Sequence, residues 1–232
     1  MKKKLQLSIL IIALMAIAVT GCKKFEEVYS CDSATNEWVK SNLKTIQKMN
    51  RQDLLQLESE KQMPAFRAFT PEQRYNCLVD KLEQVKSLEW TEKEIAHICL
   101  LAETMKLEWF EDSFKKTNFE EMANFLNQWV NDGISYFGWT TDELGRMVAC
   151  LKDVEMKDQY VVLKAVPPTK EPPGTTTTKP AATLQACHCS KTSDWCASGE
   201  KCSSSDCIPR GWGCGTILIF ECDGRCKRGL SL

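Results

Sequence analysis

The sequence predicts an all-α helical N-terminal domain followed by a small disulfide-rich C-terminal module with a short β-hairpin. Three observations lead there. Between residues 33 and 165, apolar side chains recur at helical spacing behind repeated capping signatures. Between 166 and 186 the composition turns to proline and threonine. From Cys187 onward, eight cysteines crowd a stretch too short to bury a sufficient apolar core.

Each helix has its own justification. Asp32 and Ser33 offer N-caps, and Trp38, Val39, Leu43 and Ile46 follow on one helical face. Leu54, Leu55 and Leu57 form a second apolar group. Thr70-Pro71-Glu72-Gln73 is a strong start signal, with Thr as N-cap, Pro at the first helical position and Gln to close a capping box. The helix it opens carries Tyr75, Leu78, Val79, Leu82 and Val85. Thr91 to Glu94 repeats the box ahead of Ile95, Ile98, Cys99 and Ala102. Asn118 to Glu121 opens a helix bearing Met122, Phe125, Leu126 and Trp129, with Gly133 expected to end it. Thr140 to Glu143 opens the last, which runs through Leu144, Met147, Val148 and Leu151.

The start of the chain sets the expected compartment. Lys2, Lys3 and Lys4 precede an apolar run from Ile9 to Val19, a charged region and a core too short for a permanent span. The run ends in Val19-Thr20-Gly21-Cys22, which resembles a bacterial lipobox. The resemblance implies a signal peptide over 1–21, lipidation at Cys22 and a tether over 22–32. Lys23 and Lys24, rather than Asp, follow the lipid. The expected home is therefore the outer membrane or cell surface, with the lipid as the membrane partner. Charge is close to balance, at -1 overall, so no large field favours nucleic acid as a partner.

The thirteen cysteines divide on this reading. Cys22 is consumed by acylation. Cys31, Cys77, Cys99 and Cys150 form a front set, and Cys187, Cys189, Cys196, Cys202, Cys207, Cys214, Cys222 and Cys226 a back set. Both sets are even, as two disulfide-bonded domains in an oxidising compartment require. The front set has three pairings open to it, with buried unpaired thiols as the other reading. Zinc is the competing use of the back set. No Cys-x-x-Cys pairs with another, and His188 is the only histidine there, so no metal is expected.

The segment 166–186 has almost no bulky apolar residue and reads as an extended linker that holds the module away from the helices. It is also the natural place for proteolytic release. Within the module, Thr216 to Phe220 suits a strand and Asp223-Gly224 a turn after it. The run Ile217, Leu218, Ile219 and Phe220 has two readings. With Trp195 and Trp212 it is a target-contact patch, assisted by the basic residues Arg225, Lys227 and Arg228; otherwise it is the module's own small core.

At these residues a resemblance enters. Cys187-x-Cys189, six residues, Cys196, five residues and Cys202, with Thr192-x-Asp194-Trp195 before Cys196 and Gly213-Cys214-Gly215-Thr216 later, resemble the fulvocin C-related family of bacterial proteins. That family includes a small four-disulfide bacteriocin and lipoproteins that join such a tail to a helical front. Here the chain ends its cysteines as Cys222-x-x-x-Cys226, whereas the bacteriocin separates its last two by one residue. The resemblance implies inhibition of related bacteria, acting at their envelope. A non-toxic surface binding module is the alternative. No nucleophile motif, phosphate loop, cofactor motif or metal constellation appears, and no catalytic residue is expected. His97 lies in a helix beside Ile98 and Cys99, a packing position.

Overall fold

The computed structural model describes residues 28–30, 32–111, 114, 119–164, 187–193, 196, 200–207 and 209–228. For Arg210, Trp212 and Arg228 it describes the backbone alone. The expected signal peptide, Cys22, Cys31, the expected 166–186 linker and Trp195 lie outside the described residues.

The N-terminal part is helical. Its helices are α1 (Ser33–Ile46), α2 (Arg51–Leu55), α3 (Ser59–Arg67), α4 (Pro71–Lys86), α5 (Glu92–Thr104), α6 (Phe119–Phe137) and α7 (Thr141–Val148), with a 3-10 turn at Leu107–Phe110. The caps at Asp32, Thr70, Thr91 and Thr140 sit where the sequence puts them, and Asn118 lies outside the described residues. Asp32 Oδ1 accepts from the Thr35 amide at 2.7 Å. Thr70, Thr91 and Thr140 each cap their helix and receive the reciprocal bond from Gln73, Glu94 and Glu143. Each such cap satisfies backbone N–H groups that have no partner within the helix, an effect worth about 1 kcal/mol.

Two local expectations are corrected, the ends of α6 and of α7, which stops at Val148 short of Leu151, and two elements, α3 and a hairpin, were not foreseen. α6 does not end at Gly133 but runs to Phe137, where Gly138 takes φ +72 and its amide bonds Ile134 O. Gly133 is needed for contact instead, since a Cβ there would lie 2.8 Å from the Trp139 ring. α3 forms without a side-chain cap and with Pro64 inside it. A hairpin not foreseen, β1 (Val154–Lys157) with β2 (Tyr160–Leu163), closes the helical part through Asp158 and Gln159, both at positive φ.

That hairpin is held by polar side chains reaching out of the core. Arg51 donates to Leu151 O at 2.6 Å and pairs with Asp80 and Asp153. Lys81, fully buried, donates to Lys152 O at 2.6 Å, and Gln84 exchanges two bonds with the Val154 backbone. Glu143 accepts from the Val161 amide, and Arg146 donates to Val161 O. Burial pushes the Lys81 ammonium down to about 8 and the Cys77 thiol up to about 12.

The apolar core runs through α1–α7, with Phe66, Phe110 and Trp129 among its largest buried side chains. His97 stacks on Trp129 with ring centroids 5.0 Å apart. Its Nε2 bonds Trp129 O, and Trp129 Nε1 returns a bond to His97 O. The histidine therefore ties α5 to α6. Among the described residues no helix is long and apolar enough to cross a membrane.

Candidate functional site

The candidate site is the disulfide module and the face it meets. All eight back cysteines pair with one another: Cys187–Cys207, Cys189–Cys202, Cys196–Cys226 and Cys214–Cys222. No bridge crosses to the helical part. The front set behaves otherwise. Cys77, Cys99 and Cys150 are free thiols, and Cys31 lies outside the described residues. Cys77 is buried beside apolar neighbours, where a thiol packs as a small hydrophobe.

The bridges are spaced so that the module forms two short antiparallel pairs, where one hairpin was expected. β3 (Glu200–Ser203) pairs with β6 (Arg225–Arg228), placing Cys202 opposite Cys226. These cysteines bond Cys189 and Cys196 respectively, so two bridges lie side by side, with the sulfurs of Cys189, Cys196 and Cys202 within 4.8 Å of one another. β4 (Arg210–Cys214) pairs with β5 (Phe220–Cys222), and Cys214–Cys222 closes that pair. Asp223-Gly224 therefore joins strands that pair elsewhere and is not a hairpin turn. Gly224 is required sterically: a Cβ would lie 2.6 Å from Cys202 Sγ. Its carbonyl accepts from the His188 and Cys189 amides, and its amide donates to Cys189 O. His188 is exposed, and its Nε2 accepts from the Cys226 amide at 3.4 Å.

The greasy run is not the expected strand. Thr216–Leu218 is a 3-10 turn, entered from Gly215 at φ +67, with Ile217 at φ 49 and Leu218 at φ 59. Left-handed backbone in a β-branched residue is uncommon and costs roughly 1–2 kcal/mol. It is held by a buried seat. Ser193 Oγ accepts from the Thr216 amide at 2.9 Å and lies 3.0 Å from Thr216 Oγ1. Gly215 has no room for a Cβ, which would fall 2.6 Å from Ser193 and 2.8 Å from the Phe220 ring.

The turn points its side chains into the helical part. Ile217 and Phe220 are fully buried, Ile219 is 1% exposed and Leu218 4%, and all four belong to the same apolar cluster as the helices. The Phe220 ring meets Phe119, at the start of α6, edge-on at 5.5 Å. Gly213 lies flat against α3, with Met63 Cε 2.7 Å from where a Cβ would stand. The 3-10 turn also packs on α7. Burying an apolar side chain of this size stabilises by about 1.5–3 kcal/mol, so four outweigh the strain in two residues.

Two expectations change here. The module is not held away from the helices; it docks on them. Ile217, Leu218, Ile219 and Phe220 do not form an open contact patch, nor a core private to the module. They are a tip shared with the helical core. A cleft of about 400 Å³ remains beside the joint, with Thr141, Arg146 and Cys150 on the helical wall and His188 and Ser190 on the module wall.

No family model matches the chain, and no curated protein or solved structure matches it.

Proposed function

We propose that the chain is an envelope-tethered bacterial lipoprotein whose four-disulfide C-terminal module inhibits the growth of related bacteria. One observation carries the reading: the eight tail cysteines pair only with each other, which makes the tail a covalently self-contained unit joined by a Pro/Thr segment. A unit stapled in this way keeps its covalent connectivity when cut free, as a releasable inhibitor must. The lipobox-like start and the fulvocin C-like cysteine spacing support the same reading. The lipid on Cys22 keeps the protein at the outer membrane or cell surface, so inhibition requires either cell contact or cleavage within 166–186.

The test is growth of a panel of related bacteria with the module cut from the full chain and purified with its bridges intact. A reduced and alkylated sample is the control. Inhibition by the oxidised sample alone supports the reading; growth unaffected by both removes it.

A second reading, a non-toxic surface binding module, is favoured by the cleft at the joint and by burial of the tip. On that reading the stapled tail completes a binding surface together with α7, and the intact chain is the working form. No residue is assigned a catalytic role on either reading.

A further inference from the structure

We infer that the helical part is a receptor for its own disulfide module, sheathing the tip Ile217–Phe220 and holding the module without covalent help. Four observations carry this beyond the growth-inhibition reading.

The tip is the most apolar part of the module, and its four residues are all at most 4% exposed. On a free module they would form an exposed patch of the kind that marks an interaction surface. The face that covers them is specific. Phe119 meets Phe220 edge-on, and Met63 leaves Gly213 no space for even a methyl group. The tip is held in left-handed backbone at Ile217 and Leu218 by the module's own Ser193 seat, so the shape it offers the helical face belongs to the module. Finally, every module cysteine is satisfied within the module, so nothing covalent joins the two parts except the 166–186 segment. The occupant of the helical face is therefore the module itself, bound in the same chain. After cleavage of the segment the same surfaces remain complementary.

Two consequences follow. Cutting the segment does not release the module at once; the two fragments leave each other by dissociation. A helical part with a vacant face also captures a module cut from another copy, which makes it a protective element for the cell that carries it.

The experiment uses the full soluble chain with a recognition sequence for a site-specific protease inserted between 166 and 186. After complete cleavage, with four bridges verified by mass, the two fragments are run together by size exclusion at micromolar concentration. Co-elution at the intact size is the expected result. Complete separation overturns the inference. Met63→Glu and Phe119→Ala alter the receptor face and leave the module's sequence untouched. Each is expected to weaken retention at least about tenfold while the helical circular dichroism is unchanged. Retention unaffected by both variants also overturns it. A second arm mixes cut protein with isotopically labelled cut protein; hybrid pairs in native mass spectrometry are expected, and their absence under dissociating dilution removes the capture between copies. Growth assays of the separated module bear on the growth-inhibition reading alone, so failure of either proposal is visible without the other.

Discussion

Lys81 and Cys77 set the alkaline behaviour of the fold. Lys81 titrates near 8 in the folded state against an ordinary 10.5, so between those values the unfolded chain binds more protons and stability rises with pH. Cys77 titrates near 12 against an ordinary 9, so above pH 9 the unfolded chain loses a proton the native state keeps, and stability falls. The rise is therefore confined to about pH 8–9 and amounts to about 1 kcal/mol. Denaturant midpoints measured across pH 7.5–10.5 are expected to show it in the native protein and not in Lys81→Met. Cys77→Val is expected to extend the rise beyond pH 9. Neither role was legible in the sequence. Lys81 follows Asp80 on what reads as an ordinary charged edge of a helix, and only the fold brings its ammonium to the Lys152 carbonyl. The even count of the front set leaves both pairing and buried thiols open for Cys77; the structure has Cys77, Cys99 and Cys150 as thiols. Counting assumes that every cysteine meets a partner; here Cys77 lies in α4, Cys99 in α5 and Cys150 beyond the end of α7, and each remains a thiol.

At the scale of elements, the bridges differ in what they restrain. Cys196–Cys226 spans 30 residues and Cys214–Cys222 spans 8. In the chain-entropy account the first restricts the unfolded module by about 3.7 kcal/mol and the second by about 2.6. Replacing both members of the long bridge by serine is expected to cost about 1 kcal/mol more than the same change in the short one. Hydrogen exchange over β3–β6 and β4–β5 distinguishes them further. Loss of the short bridge is expected to free the β4–β5 amides first, since that bridge closes the strands flanking the tip. Elements with strong local chemistry were read correctly. The boxes at Thr70, Thr91 and Thr140 and the cap at Asp32 start helices where the residues say they do. Elements without it were missed. α3 holds Pro64 and has Glu58 at its N-cap position with no side-chain cap bond, so propensity and capping both argue against it; burial of Ala65 and Phe66 overrides them. The β1–β2 hairpin turns on Asp158 and Gln159 at positive φ, where the usual signal would be Asn-Gly or Asp-Gly. Thr216–Phe220 has strand composition, but Gly215 and the Ser193 seat curl Thr216–Leu218 into a 3-10 turn and only Phe220 enters a strand.

At the scale of the whole molecule, the division into a helical part and a stapled tail was readable, because composition changes abruptly at 166 and 187. Their relation was not. A run of four apolar residues has no period that says whether it faces its own module, a target or a neighbouring domain, and a Pro-rich segment reads as a spacer whatever lies at its ends. The physical reason for docking is the tail's size. A module this short cannot bury Ile217 to Phe220 within itself, so the residues are buried where enough apolar surface exists, among the helices.

The burial of Cys77 beside those helices imposes an order of events. Among the described residues three reduced sulfurs and four closed bridges coexist, and no equilibrium rule forbids an unfolded chain from joining a front sulfur to a back one. The expected order is sequestration before oxidation, with the amino-terminal half closing around Cys77 while the carboxy-terminal half is still being stitched. Refolding from the reduced, denatured state with a strong oxidant added at time zero is expected to yield scrambled monomers carrying Cys77 in a bridge, detected by peptide mass mapping. Delaying the oxidant until helical ellipticity has recovered is expected to restore the four native pairs. Equal yields under both schedules would show that timing plays no part in how this chain sorts its sulfurs.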